Sequence, residues 1–397
     1  MARTRKALPT EVDVAHLISA GVLAAVCPRP LIEEVLSQTG RASQRHRLLP
    51  APAVVYYVMA LSLWRQAPLE EVLRVVCEGL HWLGGEQTVQ ASKAAISQAR
   101  TRLGPDVMRL LAQRVLRPLA EPGAAGSWYR GRRVMALDGT CLDVPDERAN
   151  AEFFGYPGSS RGQSAFPQAR VLALLECGTH AMVAAEVAPY AHSERAMAAS
   201  VLSQWLCQDM LLLADRGLYS FKLWQQAAAS GAALLWRLSA TVKLPAHQVL
   251  ADGSYLSTAY DSADTARRHG TTVRVIEYAL QGSATSSEGS YRLITTLLDP
   301  EQAPAQELAA LYHERWEIES AFDEIKTHLR GASTVLRSKT PDLVQQELWG
   351  LLLAHFAIRQ LMAQAALRRE LDPDRLSFTH AVRVIKRKLP QAAAIPP

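Results

Sequence analysis

The sequence has few cysteines, and they are widely spaced. There are five, with no C-x2-C pair among them: Cys27, Cys77, Cys141, Cys177 and Cys207. Zinc sites built on thiolates and disulfide frameworks both show characteristic cysteine spacings, so neither is indicated. The pattern fits a reducing compartment, and we expect a cytoplasmic protein.

Long apolar runs are also lacking. The longest, residues 48–64, contains Pro50 and Pro52 and falls short of the roughly 20 residues that a membrane span needs. The basic start at residues 1–6 is not followed by an apolar segment with a cleavage site, so we expect no secretory signal. No membrane partner is therefore expected, and no internal repeat is evident.

The charge is close to balanced. With 43 Lys and Arg against 38 Asp and Glu, the net charge is +5 and the sequence pI is about 9.0. This permits a polyanionic partner without requiring one. Hydrophobic residues make up 49% of the 397 residues, which is typical of a globular protein with two or three domains.

Residues 308–329 have the periodicity of an amphipathic helix. Apolar residues recur at helical spacing at Leu311, Ile318, Phe322, Ile325 and Leu329. A second stripe beside them contains Tyr312, Arg315, Glu319 and Lys326. A carboxylate is thereby flanked by two cations and a phenol at the rim of a core. The alternative is a solvated charged face, because i,i+4 charge pairs are common on surface helices.

The middle of the chain alternates strand and helix patterns after a Pro/Gly/Ser linker at residues 121–127. A strand over 133–144 carries Asp138, and a short apolar strand over 210–214 is followed at once by Asp215. Strands are also predicted over 170–176, 181–187 and 232–238, with helices over 192–206 and 221–230. The predicted order is strand-strand-strand-helix-strand-helix-strand.

The first 125 residues read as helices, predicted over 12–25, 30–38, 52–64, 68–80 and 88–103. The last of these follows a turn at Gly84 and Gly85, has Ser92 as its N-cap, and resembles the reading helix of a helix-turn-helix. Its candidate DNA contacts are Lys93, Gln98, Arg100 and Arg102. A plain surface helix is the alternative. Basic segments at 39–47 and 383–388 could contact phosphate or be solvated.

The spacing Tyr312-x2-Arg315-x3-Glu319-x6-Lys326 resembles the signature of bacterial insertion-sequence transposases of the IS-four family. Four fixed residue types over fifteen positions make a specific signal. The segments TGRASQRHRLLPAPAVVYYVMAL and SKAAISQARTRLG also resemble the amino-terminal domain of that family, which is thought to bind the ends of the element.

The resemblance implies an α/β fold with a ribonuclease-H-like catalytic core. In that fold one acid lies on the first strand, one at the end of the fourth and one on a helix after the fifth, which matches Asp138, Asp215 and Glu319. These would be the catalytic residues and the ligands of two Mg²⁺ ions, with Mn²⁺ able to substitute. Asp138 is expected to bridge both ions, and Asp323 is the main rival to Glu319.

Other roles also follow from the resemblance. Arg315 and Lys326 would hold phosphates of the DNA end, and Tyr312 could stack or hydrogen-bond there. The implied domains are a helical DNA-binding domain (1–125), the first part of the core (126–239), a β-rich insertion (240–290), and the end of the core with the carboxy-terminal helices (291–397).

The implied function is a DNA transposase that cuts the ends of an insertion sequence and joins them to target DNA. Its partner would be double-stranded DNA, namely the terminal inverted repeats and the target, bound by a dimer in a synaptic complex. Two alternatives stay open. One is a ribonuclease-H-like nuclease that cuts without joining, and the other is a catalytically silent DNA-binding regulator derived from a transposase.

Overall fold

The computed structural model describes residues 21–43, 48–79, 91–159, 162–279, 290–331 and 335–388. Two compact units are present. Unit 1 contains Met1–Arg117, Leu142–Ala169 and Asp323–Pro397, and unit 2 contains Pro118–Cys141 and Arg170–Phe322. Several expectations lie outside the described residues: the first part of the helix over 12–25, the Gly84–Gly85 turn, residues 44–47 of the basic segment, and the end of the insertion over 280–289.

The described chain begins with helices and then alternates strands and helices. The first helices are α1 (Gly21–Val26), α2 (Arg29–Gln38), α3 (Ala51–Leu63), α4 (Leu69–Gly79), α5 (Lys93–Leu103) and α6 (Pro105–Val115). The central elements are β1 (Trp128–Tyr129), β2 (Arg132–Asp143), α7 (Arg148–Phe154), β3 (Gly158–Ser159), β4 (Gly162–Gln163), β5 (Gln168–Glu176), β6 (Ala181–Pro189), α8 (Glu194–Trp205), β7 (Met210–Ala214), α9 (Phe221–Ala229) and β8 (Ala233–Arg237).

The remaining elements are β9 (Gln248–Val249), β10 (Tyr255–Ala259), β11 (Thr271–Ala279), β12 (Ser290–Thr295), α10 (Ala305–Tyr312), α11 (Trp316–Asp323), α12 (Pro341–Leu367) and α13 (Phe378–Lys388). Short 3-10 turns lie at His313–Arg315 and Pro373–Arg375, and a π-helix at Glu324–Leu329.

One ten-stranded sheet contains most of the strands. Its order is β6-β5-β2-β7-β8-β12-β11-β10-β9, with β1 paired to β2. The first core strand, β2, has the second and third core strands, β5 and β6, on one side and the fourth and fifth, β7 and β8, on the other. Strands β2, β7 and β8 are parallel. This is the strand order of a ribonuclease-H-like core, so the predicted fold is confirmed.

Apolar side chains on one face of the central strands form the core beneath α8 and α9. Met135 and Leu137 of β2 pack in one cluster with Met197 of α8 and Trp224 of α9. All four are fully buried. Strand β7 is buried along its whole length, as its continuous apolar sequence predicts for a strand covered on both faces.

Residues 240–279 extend this sheet. Strand β11 pairs antiparallel with β12, and β12 pairs antiparallel with β8. The Arg274 side chain has no exposed surface; it pairs with Asp252 and donates to the carbonyls of Leu297 (3.2 Å) and Ala303 (2.6 Å). The buried Arg274 guanidinium thereby ties β11 to the loop that precedes β10 and to the segment that leads into α10.

Unit 1 is built around α12. This helix is long and apolar enough to cross a membrane by length and composition, but 72% of its apolar window is buried within the protein, as in a core helix. Gly350 lies against α3: a Cβ at this position would be 2.8 Å from the Val58 carbonyl oxygen and 2.8 Å from its Cγ1. The two helices therefore approach each other through a residue without a side chain.

Replacing Gly350 with alanine is expected to destabilise the protein by about 1–3 kcal/mol, the usual cost of overpacking a core. Helix propensity alone would predict stabilisation by about 1 kcal/mol, so the sign of the change identifies the cause. Urea denaturation measures the effect. Ala365→Gly, at an exposed position of the same helix, gives the propensity difference without the close contact. A Gly350→Ala protein as stable as the wild type would show that the helices can separate without cost.

Candidate active site

The register of three parallel strands places polar side chains in one row. Leu137 of β2 pairs with Ala214 of β7, and Ala214 pairs with Trp236 of β8. One residue further along each strand are Asp138, Asp215 and Arg237. Adjacent strands lie about 4.8 Å apart, so these three side chains share the carboxyl edge of the sheet. Arg237 Nη1 is 3.9 Å from Asp215 Oδ1.

Residues of the helical segment 312–319 meet this edge. Arg315 donates from Nη1 to Asp138 Oδ2 (3.3 Å) and from Nη2 to Glu319 Oε1 (2.9 Å). The Tyr312 hydroxyl lies 3.3 Å from the Ala214 carbonyl oxygen and 3.5 Å from Asp215 Oδ1. The structure therefore brings together the three predicted acids, with Arg315 bridging two of them and Tyr312 contacting the third.

The helical segment changes pitch on both sides of Glu319. The regular helix predicted over 308–329 is α-helical to Tyr312, 3-10 over His313–Arg315, α-helical over Trp316–Asp323 and π-helical over Glu324–Leu329. Periodic apolar spacing cannot distinguish these forms over single turns. Within unit 1, buried Glu324 accepts hydrogen bonds from Arg359 Nε (3.0 Å) and is 2.8 Å from His355 Nε2. These contacts fix the start of the π-helix, a form that is frequent at functional sites.

Burial governs the ionisation of this site. It raises the pKa of Asp138 to about 6; the hydrogen bond from Gly139 N–H and the charge of Arg315 oppose the rise, while Glu194 and Asp215 add to it. Burial also raises the pKa of the Tyr312 hydroxyl well above its usual value. Tyr312 therefore stays protonated and serves as a hydrogen-bond donor.

The raised pKa of Asp138 predicts that protons compete with divalent cations, because a cation binds the carboxylate and not the acid. If Asp138 binds a divalent metal, the metal-dependent activity should fall as the pH drops through about 6, and a higher metal concentration should move the midpoint to lower pH. Rate profiles at two Mg²⁺ concentrations measure this. A midpoint independent of Mg²⁺ concentration would contradict it.

Stability should show the opposite trend to activity. The ordinary pKa of an aspartate is about 3.9, so between about pH 4 and 6 the folded protein holds the Asp138 proton more tightly than the unfolded chain does. In EDTA, the Asp138 contribution to stability is therefore lost as the pH rises through this window. Asp138→Asn should lack this dependence.

The predicted residues on α5 face in two directions. Lys93, Gln98 and Arg102 are exposed, whereas Arg100 is only 5% exposed. The Arg100 guanidinium donates to Ser338 Oγ (3.0 Å) and to the Leu343 carbonyl (2.8 Å). It lies four residues after Ile96 and three before Leu103, so helical spacing puts it on the buried face. We therefore leave Arg100 out of the DNA contacts proposed below.

The remaining predicted residues lie as follows. Arg315 is 4% and Tyr312 1% exposed, so in this structure both contact the acids and not the solvent. Lys326 lies half-buried in the π-helix of unit 1. Asp323, the rival acid, accepts a hydrogen bond from Thr327 (2.6 Å) and lies 3.7 Å from His328. Its carboxylate is engaged by its own helix.

Two residues at the edge were missed by sequence reasoning. Arg237 ends β8 as Asp215 follows β7, and this parallel could have indicated it. Glu194, the first residue of α8, lies against Gly139. No sequence pattern connects Gly139 with Glu194, which lies 55 residues further along the chain.

The donor set suits a hard divalent cation. Asp138, Asp215 and Glu319 offer carboxylate oxygens, the ligands that Mg²⁺ and Mn²⁺ prefer. Asp138 and Glu319 bind the two terminal nitrogens of one cationic side chain, Arg315. The residues therefore fit a metal centre of the kind that the fold implies.

A sheet in this order with three acids at its edge defines a ribonuclease-H-like protein. Residues 17–113 match the family described as "Insertion element 4 transposase N-terminal", and residues 129–357 match "Transposase DDE domain". The second match covers more than half of the chain, so the chain belongs to the DDE transposase family and is a transposase. This confirms the resemblance of the Tyr312–Lys326 signature. The family implies the use of a divalent metal and action on DNA.

Two named sequence relatives agree with this assignment. The chain is 27% identical over 367 residues to "Transposase InsG for insertion sequence element IS4" of Escherichia coli, covering 90% of this chain and 80% of InsG. It is 28% identical over 224 residues to "Putative transposase InsZ" of the same organism, covering 56% of this chain and 72% of InsZ. A piggyBac transposase synaptic complex with hairpin DNA aligns with a TM-score of 0.46 and 8% identity, covering 99% of this chain and 83% of that one.

Proposed function

We propose that this transposase cleaves the ends of its element and joins them to target DNA through Asp138, Asp215 and Glu319, with two Mg²⁺ ions as its metals. The observation that carries the proposal is the row at the sheet edge: Asp138 and Asp215 are adjacent, and Arg315 links Asp138 to Glu319. Mn²⁺ should substitute, because its ligand preferences are similar.

Each side chain has a defined task in this scheme. The three carboxylates would hold the cations, and Asp138, the most buried of the three, would be shared by both ions. When bound, the cations would activate the attacking oxygen and stabilise the leaving one in an in-line displacement at phosphorus. Tyr312 orients Asp215 from below the edge, and its raised pKa argues against a role as nucleophile. No covalent protein–DNA intermediate is expected.

Phosphate contacts in unit 2 would come from a cleft of about 870 Å³ beside the Asp215 loop. Arg315 would contact a phosphate only after cations replaced it as the partner of Asp138 and Glu319. Four exposed cations line the cleft: Arg195, Lys222, Lys243 and Arg267. Its acids, Asp261 and Asp264, accept hydrogen bonds from backbone amides of their own turn (3.0 and 2.8 Å). The cleft thus suits a DNA backbone. In unit 1, Lys326 is proposed to bind phosphate as well.

The amino-terminal helices are proposed to read the DNA ends through Lys93, Gln98 and Arg102 of α5. Lys93→Ala and Arg102→Ala should each weaken binding to all DNA sequences and reduce the slope of log binding constant against log salt concentration by about 1. Gln98→Ala should instead relax the preference for one base. Fluorescence anisotropy over a salt series measures this. Arg109→Ala, at an exposed arginine already paired with Asp106, is the control. Equal loss in Arg109→Ala would contradict the assignment of α5.

The experiment that tests the function is cleavage of DNA carrying the gene's own flanking sequence. Purified protein is incubated with Mg²⁺, with Mn²⁺ or with EDTA. Metal-dependent cutting at the edge of the element, followed by joining to a second DNA, supports the proposal. Binding to the ends without cutting would indicate a silent regulator, and cutting without end preference or joining would indicate a nuclease.

The synaptic dimer is proposed as well. Light scattering of the protein with and without its end DNA should show two protein chains for two ends. A single chain on a single end throughout the cleavage reaction would contradict it.

A further inference from the structure

Glu194 lies at the amino terminus of α8 and is held there by Arg170 of β5. Arg170 Nη1 is 3.4 Å from Glu194 Oε2. The same guanidinium donates to the Tyr190 carbonyl oxygen (3.3 Å) and lies 5.2 Å from the centre of the Tyr190 ring. Arg170 is therefore fixed by the end of β6, and through Oε2 it fixes the direction of the Glu194 carboxylate.

The other oxygen, Oε1, lies over Gly139. A Cβ at Gly139 would be 2.8 Å from Glu194 Cδ and closer still to Oε1, a separation that real Cβ contacts do not show. The φ angle of Gly139 is outside the left-handed region, so backbone conformation does not require glycine here. Glycine is required here because only a residue without a side chain leaves room for the Glu194 carboxylate against strand β2, at the residue next to Asp138.

A purely structural ion pair would not need this arrangement. The Arg170 and Glu194 side chains are 18% and 33% exposed, and a partly exposed pair of this kind contributes little to stability. Such a pair could tie α8 to β5 anywhere along their length. Here the carboxylate is instead directed into a gap beside the most buried acid of the site, where like charges repel each other unless cations are bound.

We propose that Glu194 is a fourth carboxylate of the catalytic centre, oriented by Arg170 and admitted by Gly139, and that it strengthens divalent-cation binding at Asp138. The inference rests on the proposed metal chemistry of Asp138, Asp215 and Glu319.

The test is Mn²⁺ binding to the full-length protein without DNA, measured by titration with electron paramagnetic resonance. Glu194→Gln keeps the shape and removes the charge, and it is expected to raise the Mn²⁺ dissociation constant about 10- to 100-fold, as loss of a supporting group typically does. Gly139→Ala should act in the same direction, because the new methyl group displaces the carboxylate. Glu194→Asp should recover part of the affinity.

The matched control is Glu307→Gln. Glu307 is also an arginine-paired glutamate of unit 2, with Arg130 Nη2 at 2.9 Å, but its partners Tyr129 and Arg130 lie at the other end of β2. Its Mn²⁺ affinity should equal that of the wild type. Thermal unfolding in EDTA checks that every variant is folded.

The possible failures are distinguishable. Wild-type Mn²⁺ affinity in Glu194→Gln, together with weakened binding in Asp138→Asn, would overturn the role of Glu194 and leave the proposed function intact. Wild-type affinity in both variants would overturn the metal role of Asp138, and the role of Glu194 with it. Equal weakening in Glu307→Gln would show a general charge effect and would also overturn the inference.

Discussion

Exchange of Glu319 for glutamine is expected to lower the rate of DNA cleavage by about 10³-fold or more while leaving the protein folded. A catalytic metal contributes several kcal/mol of transition-state stabilisation, and each 1.4 kcal/mol or so corresponds to a factor of ten in rate. The Glu319 side chain is 42% exposed and contacts Arg315 at the surface of the helix. Its replacement therefore removes the proposed metal ligand without opening the core.

Cleavage of end DNA under single-turnover conditions measures this effect, and anisotropy confirms that DNA binding survives. Asp323→Asn is the matched control, because Asp323 is the rival acid one turn further along and is 60% exposed. It should cleave at the wild-type rate. Full activity in Glu319→Gln with loss in Asp323→Asn would reassign the third ligand to Asp323.

Replacing Arg274 with alanine is expected to destabilise unit 2 by about 3 kcal/mol or more, because each buried acceptor left without its donor costs about 1–3 kcal/mol. The Arg274 side chain is fully buried against Asp252 and Ser254, and its Nη1 also donates to the carbonyls of Leu297 and Ala303. The alanine variant would leave these acceptors in the core without a donor, which adds desolvation cost to the lost pair.

Urea denaturation followed by tryptophan fluorescence measures the loss, since Trp224 and Trp236 lie in the core of the same unit. Arg268→Ala, at an exposed arginine of the preceding loop, should change stability by about 0.5 kcal/mol or less. If Arg274→Ala were as stable as Arg268→Ala, the insertion strands would not depend on this ion pair.

The geometry of the site supports an active transposase more than it supports a silent regulator or a nuclease that does not join DNA. A silent regulator would have no need to keep Asp138 buried with a raised pKa beside two further acids, since such an arrangement destabilises the metal-free protein. A nuclease without end recognition would not need the amino-terminal region that matches the transposase family model. Both observations favour the active transposase.

Local sequence patterns predicted the core strands and pointed to the three acids that the structure brings together. Alternation around Asp138 and the continuous apolar run before Asp215 predicted β2 and β7, because a strand buried on one or both faces leaves a local pattern of period two or an unbroken apolar stretch. Tyr312, Arg315 and Glu319 share one helical stripe for the same local reason. Their spacing was enough to indicate the family.

Which residues contact one another could be seen only in the folded structure. The strand register put Arg237 beside Asp215, the crossing of α5 on α12 buried Arg100, and the approach of α8 to β2 placed Glu194 over Gly139. The changes in helical pitch around Glu319 could likewise be seen only in the structure. Each of these features depends on contacts between segments that are far apart in the chain. The periodicity of one segment shows which of its faces is buried but not which segment covers that face.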